Sequence, residues 1–209
     1  MPRAHLIAIA GASGAGKTTL AGRLAAALGA CGPAAPVVPL DAYYRDDPAE
    51  GPAVRAARNY DAPEALEAAL LLTHLERLRS GRAAERPSYE FRTHRRTART
   101  VLMRPAPYVL VEGLLALHWP AIRALCGTKV FLQIDDRLAL ARRIARDTRS
   151  RGRTEDSVRR QWSETVHPMF RRYVEPTRRF ADLTVDGAAP VEASVAAVLA
   201  FVRPGRRVP

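Results

Sequence analysis

The chain has 209 residues, of which 47% are hydrophobic and 26% are charged. These are globular proportions, and they exclude a disordered, collagenous or fibrous protein. The formal net charge is +12, from 33 Lys and Arg against 21 Asp and Glu, so nucleic acid, a membrane surface or a phosphorylated ligand must be considered as a partner. Only Lys17 and Lys129 are lysines, and biased coding composition also accounts for the abundant Arg and Ala. The length predicts one domain over 1–209, with room for a small subdomain.

The number of cysteines and the length of the apolar runs indicate the cellular compartment of the protein. Cys31 and Cys126 are too few for a disulfide framework or a metal-ligand cluster, which fits a reducing cytosol. The first apolar run stops at Gly11, too early for a spanning helix, and it resembles a signal peptide poorly. Glu112 interrupts the longest apolar stretch. We therefore expect a cytoplasmic protein without a membrane segment.

Apolar runs of strand length alternate with helical patterns along the chain. The predicted strands are 6–10, 37–40, 108–111, 130–134 and 183–185, and the predicted helices are 17–28, 63–79, 137–149, 155–165 and 191–202. Such alternation is typical of an α/β fold with a parallel sheet.

Two segments interrupt this alternation. The first, 43–60, is rich in Ala, Arg, Pro and Gly and is predicted to be a mobile loop, whereas 86–103 has the Tyr, Phe, Thr and Val content of a polar hairpin. Both could cover a ligand site. The end of the chain, 203–209, is predicted to be a frayed tail.

A phosphate-binding pattern lies between the first strand and the first helix. The residues GASGAGKT, 11–18, match the P-loop pattern in the strand-to-helix context that this motif requires. Its glycines let successive N–H groups point at phosphate oxygens, Lys17 would reach the β- and γ-phosphates, and Thr18 would ligate Mg²⁺. A glycine-rich turn with an incidental lysine is the alternative, which the scarcity of lysine disfavours. The predicted nucleotide-binding residues are Gly11, Ala12, Ser13, Gly14, Ala15, Gly16, Lys17, Thr18 and Thr19.

The rest of the chain favours a kinase among P-loop proteins. A GTPase should carry an Asn-Lys-x-Asp motif, and Lys129 lies in Gly-Thr-Lys-Val instead. A kinase needs a carboxylate near the attacking hydroxyl and cations around the transferred phosphoryl group. Asp41 follows the second predicted strand, at the edge where parallel sheets bind ligands, and is the candidate base; a turn or cap aspartate is the alternative. Glu112 ends another buried strand and is a candidate Mg²⁺ ligand, or merely the strand's last residue.

An arginine-rich run, 142–153, passes from a predicted helix into Ser150-Arg-Gly-Arg-Thr. Such a run could form a lid that brings guanidinium groups over phosphates. For Arg142 and Arg149 we favour a solvated helix face.

Together these motifs resemble the uridine kinase (uridine-cytidine kinase) family of P-loop kinases over about 6–185. The resembling blocks are GASGAGKTT, LDAYY, NYDAPEA, SYEFRTHRR, VLVEGLL, DDRLALARRIARD, SRGRTEDSV, RQW and EPTRRFADLTV. The resemblance implies a P-loop NTPase three-layer sandwich with a central parallel sheet, a nucleoside-binding β-hairpin at 86–103 and an Arg-rich lid at 147–160. The implied reaction is transfer of the γ-phosphoryl group of ATP, or GTP, with Mg²⁺, to the 5′-hydroxyl of uridine or cytidine. It also implies a homo-oligomer, commonly a tetramer.

The resemblance also implies residue roles. Asp41 would be the catalytic base, with Lys17, Arg146 and Arg151 at the phosphates. The nucleoside-binding set would be Asp41, Asp61, Tyr89, Phe91, His94, Arg143, Arg153 and Gln161. On sequence alone, Asp61 is equally suited to cap the helix that Pro63 begins, and a histidine among arginines is more often solvated.

Departures from the family pattern are few. The chain has Ala42 where the family often has Ser or Thr, and Ala62 where it often has His. No clear counterpart of the family's late aspartate at the ATP site follows Val185, so no adenine-contacting residue is assigned.

Two alternatives remain open. One is a related P-loop kinase for ribulose 5-phosphate, pantothenate or nicotinamide riboside, which Tyr89, His94, Asp61 and Gln161 would discriminate. The other is a nucleic-acid-binding P-loop protein, which predicts salt-sensitive affinity. Because no nucleic-acid module is recognisable, we expect no nucleic-acid partner.

Overall fold

Five parallel strands form the central sheet of the computed structural model, which describes residues 3–30 and 32–202. The strands are β1 (His5–Gly11), β2 (Val37–Pro39), β5 (Tyr108–Glu112), β6 (Cys126–Gln133) and β7 (Leu183–Asp186). Their order is β2-β5-β1-β6-β7, and every neighbouring pair is parallel. The structure confirms all five predicted strands, although β2 ends at Pro39 and Leu40 begins a short 3₁₀ turn, Leu40–Tyr43.

Helices cover both faces of this sheet. They are α1 (Lys17–Leu28), α2 (Pro52–Ala57), α3 (Ala68–Arg79), α4 (Pro120–Leu125), α5 (Asp136–Ser150), α6 (Glu155–Gln161), α7 (His167–Met169) and α8 (Val191–Val202). Successive side chains of a strand point to opposite faces. Accordingly, Ile7 and Ile9 pack into the core under α1 and α8, whereas Leu6 and Ala8 belong to the core that contains Leu75 of α3. The predicted three-layer α/β sandwich is confirmed.

The predicted helix 63–79 is divided in two. A 3₁₀ turn, Pro63–Ala65, is followed by extended backbone at Leu66, and α3 begins at Ala68. Leu66 forms a β-bridge with Tyr44, and the N–H of Glu67 donates to the carbonyl of Tyr43 at 2.9 Å. Pairing with a distant segment therefore overrides the local helical pattern.

The helical region after 155 is longer than predicted. After α6 the backbone passes through a π turn, Trp162–Val166, then α7, a second π turn, Phe170–Val174, and a 3₁₀ segment, Glu175–Phe180. Pro168, which has no N–H to donate, lies between the two π turns.

The segment predicted to be a loop, 43–60, contains α2, and both Tyr43 and Tyr44 are buried. The segment is therefore a loop only in part, because it contains a short helix and its first two aromatic side chains join the core. The sequence analysis also missed α4, which is too short to show helical periodicity.

The predicted hairpin is confirmed as β3 (Ala84–Glu90) and β4 (Arg95–Met103), a separate antiparallel pair. Ala84 and Met103 are opposite each other at its root, and both are buried in the main core.

Within residues 3–30 and 32–202, no helix is long and apolar enough to cross a membrane. Cys126 is a buried free thiol whose pKa is raised to about 12 by burial. Cys31 and the predicted tail, 203–209, lie outside the described residues.

Candidate active site

The P-loop joins the carboxyl end of β1 to the first turn of α1. Gly14 and Gly16 have φ of 86° and 98°, a left-handed conformation that suits glycine. A Cβ on Gly14 would lie 2.3 Å from the carbonyl oxygen of Ala139, because α5 packs directly on the loop. Lys17 Nζ donates to the carbonyl of Ala12 at 2.8 Å, and burial lowers the Lys17 pKa to about 8. The loop therefore combines N–H groups at a helix start with a sequestered ammonium, which suits phosphate oxygens.

A cavity of about 400 Å³ lies on one side of this loop. Besides 14–20, its lining comprises Leu132, Arg142, Arg146, Asp186, Gly187, Ala189, Val191 and Ser194. Arg142 is exposed, as predicted, but its Nη1 also donates to the carbonyl of Gly187 at 2.7 Å. The solvated interpretation therefore missed its contact with the loop between β7 and α8.

A second cavity, of about 380 Å³, lies between the P-loop and the hairpin. Every residue that the sequence analysis placed at the nucleoside lines it, namely Asp41, Asp61, Tyr89, Phe91, His94, Arg143, Arg153 and Gln161. Lys17, Thr18 and Arg146 line both cavities. The two cavities therefore meet at the P-loop, where a phosphoryl group could pass between ligands.

Two carboxylates stand at adjacent strand ends in the second cavity. Asp41 lies in the 3₁₀ turn after β2, and Glu112 ends β5 in register with Pro39. Burial raises the pKa of Glu112, with the charge of Asp41 adding to this effect. Thr18 Oγ1 donates to Glu112 Oε1 at 3.1 Å. The two candidate Mg²⁺ ligands are thus in contact.

These oxygens suit a shared magnesium site. No cluster of three or more His, Cys, Asp or Glu side chains forms a metal cage among the residues that the structure describes. Mg²⁺ commonly binds through one or two protein oxygens, substrate phosphates and water. Thr18 and Glu112 fit that pattern.

Asp61 is buried and lines the second cavity. Burial raises its pKa, and the positive charge of Arg143 opposes this shift. The 3₁₀ turn that follows has Ala62 as its cap residue and no side-chain capping bond. The capping alternative for Asp61 is therefore wrong, and its carboxylate is available to a ligand.

An aromatic cluster forms the hairpin side of the second cavity. His94, at the hairpin turn with φ of 53°, stacks on Tyr60 with ring centroids 4.7 Å apart. Its Nδ1 lies 3.3 Å from the hydroxyl of Tyr89, whose ring contacts Tyr44 and Phe91 at 5.1 and 5.4 Å. Burial, together with Arg153 and Arg151, lowers the pKa of His94. The solvated alternative for His94 is therefore wrong.

Arginine side chains from α5 and the segment after it also line the second cavity. Arg143 donates from Nη1 to Ser13 Oγ and from Nη2 to Gln161 Oε1, both at 2.7 Å. Arg153 Nη1 donates to the same Gln161 oxygen at 2.7 Å. The guanidinium of Arg151 lies 4.0 Å from the ring centre of Phe91, a cation–π contact with the hairpin.

The model described as "Phosphoribulokinase / Uridine kinase family" matches residues 6–193. The chain belongs to this family. It is 41% identical over 184 residues to a protein named uridine kinase from Shewanella baltica, covering 86% of each chain. It is 39% identical over 180 residues to a uridine kinase from Brevibacillus brevis, covering 86% of this chain and 83% of that protein.

Solved structures share the family's fold. A putative fructose transport system kinase from Silicibacter sp. TM1040 superposes with a TM-score of 0.72 at 24% identity, covering 88% of this chain and 91% of that chain. A phosphoribulokinase from Rhodobacter spheroides gives 0.62 at 17% identity, covering 88% and 70%.

The sequence analysis missed several polar and aromatic residues that line these cavities. Tyr44 and Tyr60 lie within the LDAYY and NYDAPEA blocks, and Tyr44 Oη donates to Asp41 Oδ1 at 3.0 Å. No sequence pattern indicated that Arg86, in β3, would line the second cavity. Asp186 ends β7 at the ligand-binding edge of the sheet, and its place at the end of a strand could have identified it.

Proposed function

We propose that this protein is a cytoplasmic nucleoside kinase of pyrimidine salvage, which transfers the γ-phosphoryl group of ATP or GTP to the 5′-hydroxyl of uridine or cytidine. The observation that carries the proposal is the second cavity, where Asp41 lies between the P-loop lysine and an aromatic pocket. The names of the curated relatives support the same acceptor.

In this reaction Asp41 would orient the 5′-hydroxyl and accept its proton. The hydroxyl oxygen then bonds to the γ-phosphorus while the bond to the β–γ bridging oxygen breaks, and the nucleoside diphosphate leaves. Lys17, Arg146 and Arg151 would neutralise the charge on the transferred group, and residues 147–160 would act as the lid. Thr18 and Glu112 would hold Mg²⁺, which supplies further neutralisation of the phosphate oxygens.

The nucleoside would be bound from two sides. Asp61 would accept hydrogen bonds from ribose hydroxyls, and its burial makes this contact stronger than it would be in water. Tyr89, Phe91 and His94 would contact the base, because an aromatic ring can stack on it and an imidazole nitrogen can bond to its edge. Gln161, held between Arg143 and Arg153, would complete the pocket.

The first test is an ADP-release assay with Mg·ATP, run separately with uridine, cytidine, ribulose 5-phosphate, pantothenate and nicotinamide riboside. Reactions without acceptor and with nucleic acid are the controls. We expect turnover with uridine or cytidine only. Turnover with another acceptor and not with uridine or cytidine would reject the pyrimidine nucleoside as substrate. No turnover with any of the five acceptors would reject the proposed function. Substituting GTP for ATP decides the donor.

The second test replaces Asp41 by Asn. Loss of a general base typically lowers turnover by about 10²–10⁴-fold, and we expect ATP affinity to change little. Asp47→Asn is the matched control, because Asp47 is exposed and lies on the same segment. Retention of most activity in the Asp41 variant would remove Asp41 from the base role.

A further inference from the structure

A single carboxylate gathers the arginines of the active site. Asp147, on α5, has a fully buried side chain. Arg146 Nε donates to its Oδ1 at 2.7 Å, and Arg151 Nε lies 3.6 Å from the same oxygen. Arg153 Nη1 and Arg143 Nε lie 3.3 and 3.7 Å from Oδ2. Four guanidinium groups from the helix and the segment after it therefore converge on one buried anion.

Three of the four arginines approach Asp147 in a direction that leaves their outer nitrogens for other contacts. Arg143, Arg146 and Arg151 all face Asp147 with Nε, the inner nitrogen. Arg143 uses its two terminal nitrogens for Ser13 and Gln161. Arg146 lines both cavities, and its buried Nη2 has no hydrogen-bond partner among the described residues. Arg146 thus lies at the junction of the two cavities, and one of its terminal nitrogens is unpaired within the part of the chain that the structure describes.

The cluster carries more positive than negative charge. Burial, and then repulsion from neighbouring arginines, lowers the pKa of Arg151. Burial by itself would raise the pKa of Asp147, but the Arg146 bond and the surrounding guanidiniums outweigh it, and the pKa is lowered. Asp147 therefore stays ionised. Removing its charge would leave four close cations to repel one another and spread apart.

We propose that Asp147 is a positioning residue, which holds Arg146 and Arg151 through Nε so that their terminal nitrogens stay available for the phosphoryl group that is transferred at the junction of the cavities. The role of that junction rests on the proposed function. Asp147 itself would touch neither substrate.

The first experiment compares Asp147→Asn with wild type by steady-state kinetics and by calorimetric titration with Mg·ATP. We expect kcat to fall about 10- to 100-fold, because misplacement of a positioned group by about 1 Å has that effect. We expect the affinity for Mg·ATP to be unchanged or higher, because the pocket loses a negative charge. General structural damage would weaken binding as well, and a joint loss of binding and kcat would overturn the proposal. Asp136→Asn, the same change at an exposed position in the first turn of α5 and outside the lid, is the matched control.

A double-mutant cycle tests whether Asp147 acts through Arg146. Arg146→Ala is measured in the wild-type and Asp147→Asn backgrounds. If Asp147 works by positioning Arg146, the second change should cost much less kcat in the variant background than in wild type. If the two substitutions lower kcat by independent factors that simply multiply in the double variant, Asp147 does not act through Arg146.

Arg146→Lys keeps the proposal testable if Asp147→Asn does not fold. A lysine keeps the positive charge but has a single side-chain nitrogen. It therefore cannot bond Asp147 and at the same time offer two further nitrogens to the phosphates. We expect kcat to fall as far as in Arg146→Ala. Retention of wild-type kcat would show that charge alone suffices and that positioning through Nε is not needed.

Limited trypsin digestion separates failure of this inference from failure of the proposed function. If Asp147 fixes the arginines, cleavage after Arg151 and Arg153 should be slow in wild type and at least several-fold faster in folded Asp147→Asn. This readout needs no turnover. Equal cleavage rates would overturn the positioning role, whereas a wild-type protein without kinase activity would overturn the proposed function alone.

Discussion

Replacing Gly14 by Ala should destabilise the folded protein more than the same change at Gly16. Both glycines have left-handed φ, 86° and 98°, which costs an alanine about 1–2 kcal/mol. The neighbours differ. A Cβ at Gly14 would lie 2.3 Å from the carbonyl oxygen of Ala139, whereas a Cβ at Gly16 would meet nothing within 4 Å.

The clash sets the difference in magnitude. Overpacking of this kind costs about 1–3 kcal/mol, so the free energy of unfolding should fall by about 2–5 kcal/mol for Gly14→Ala and by about 1–2 kcal/mol for Gly16→Ala. Since Ala139 belongs to the helix that carries Arg143 and Arg146, relief of the clash would also displace the arginines.

The measurements are urea unfolding and thermal melting of both variants and wild type, without nucleotide, each followed by circular dichroism. For a protein of this size, about 2–4 °C in Tm corresponds to 1 kcal/mol, so Gly14→Ala should melt about 2–12 °C below Gly16→Ala. Equal losses at the two positions would refute the inferred contact between the P-loop and α5.

Three further outcomes are expected. Burial lowers the pKa of Lys17 to about 8, and only the charged form of this side chain attracts phosphate. The affinity for Mg·ATP, measured by calorimetry, should therefore be constant below pH 7 and fall about tenfold per pH unit above 8. An affinity that stays constant up to pH 9.5 would contradict this expectation. Thr18→Val removes the hydroxyl that contacts Glu112 and should raise the Mg²⁺ concentration needed for turnover, while Thr18→Ser should behave as wild type; equal effects would exclude the hydroxyl as a ligand. Gly22→Ala, on the exposed face of α1 with open space around its Cβ, should raise the free energy of unfolding by about 0.5–1 kcal/mol, and a loss in urea unfolding would show an unrecognised contact there.

The site was predictable where a motif and its element coincide. The P-loop glycines, Lys17 and Thr18 lie in one continuous segment between a strand and a helix, so spacing alone places them. Asp41 and Glu112 each follow a buried strand, and parallel strands bring their carboxyl ends to one edge. The sequence analysis did not identify Asp147 as the carboxylate that the arginines surround. A single aspartate in an arginine-rich helix has no distinguishing sequence pattern, and only the structure shows that its side chain is buried.

Local sequence patterns were enough to predict much of the backbone of this protein, namely the five apolar strands, the turn of the P-loop, α1, α5, α8 and the polar hairpin. These follow from periodicity and residue type over a few positions, which report local conformation and burial. By contrast, long-range packing makes Leu66 leave the helical pattern to form a bridge with Tyr44, and it stacks His94 on Tyr60. It also brought Arg143 to Ser13, 130 residues away. Such contacts join segments that are far apart in the chain, and no local pattern encodes which distant partner will complete them.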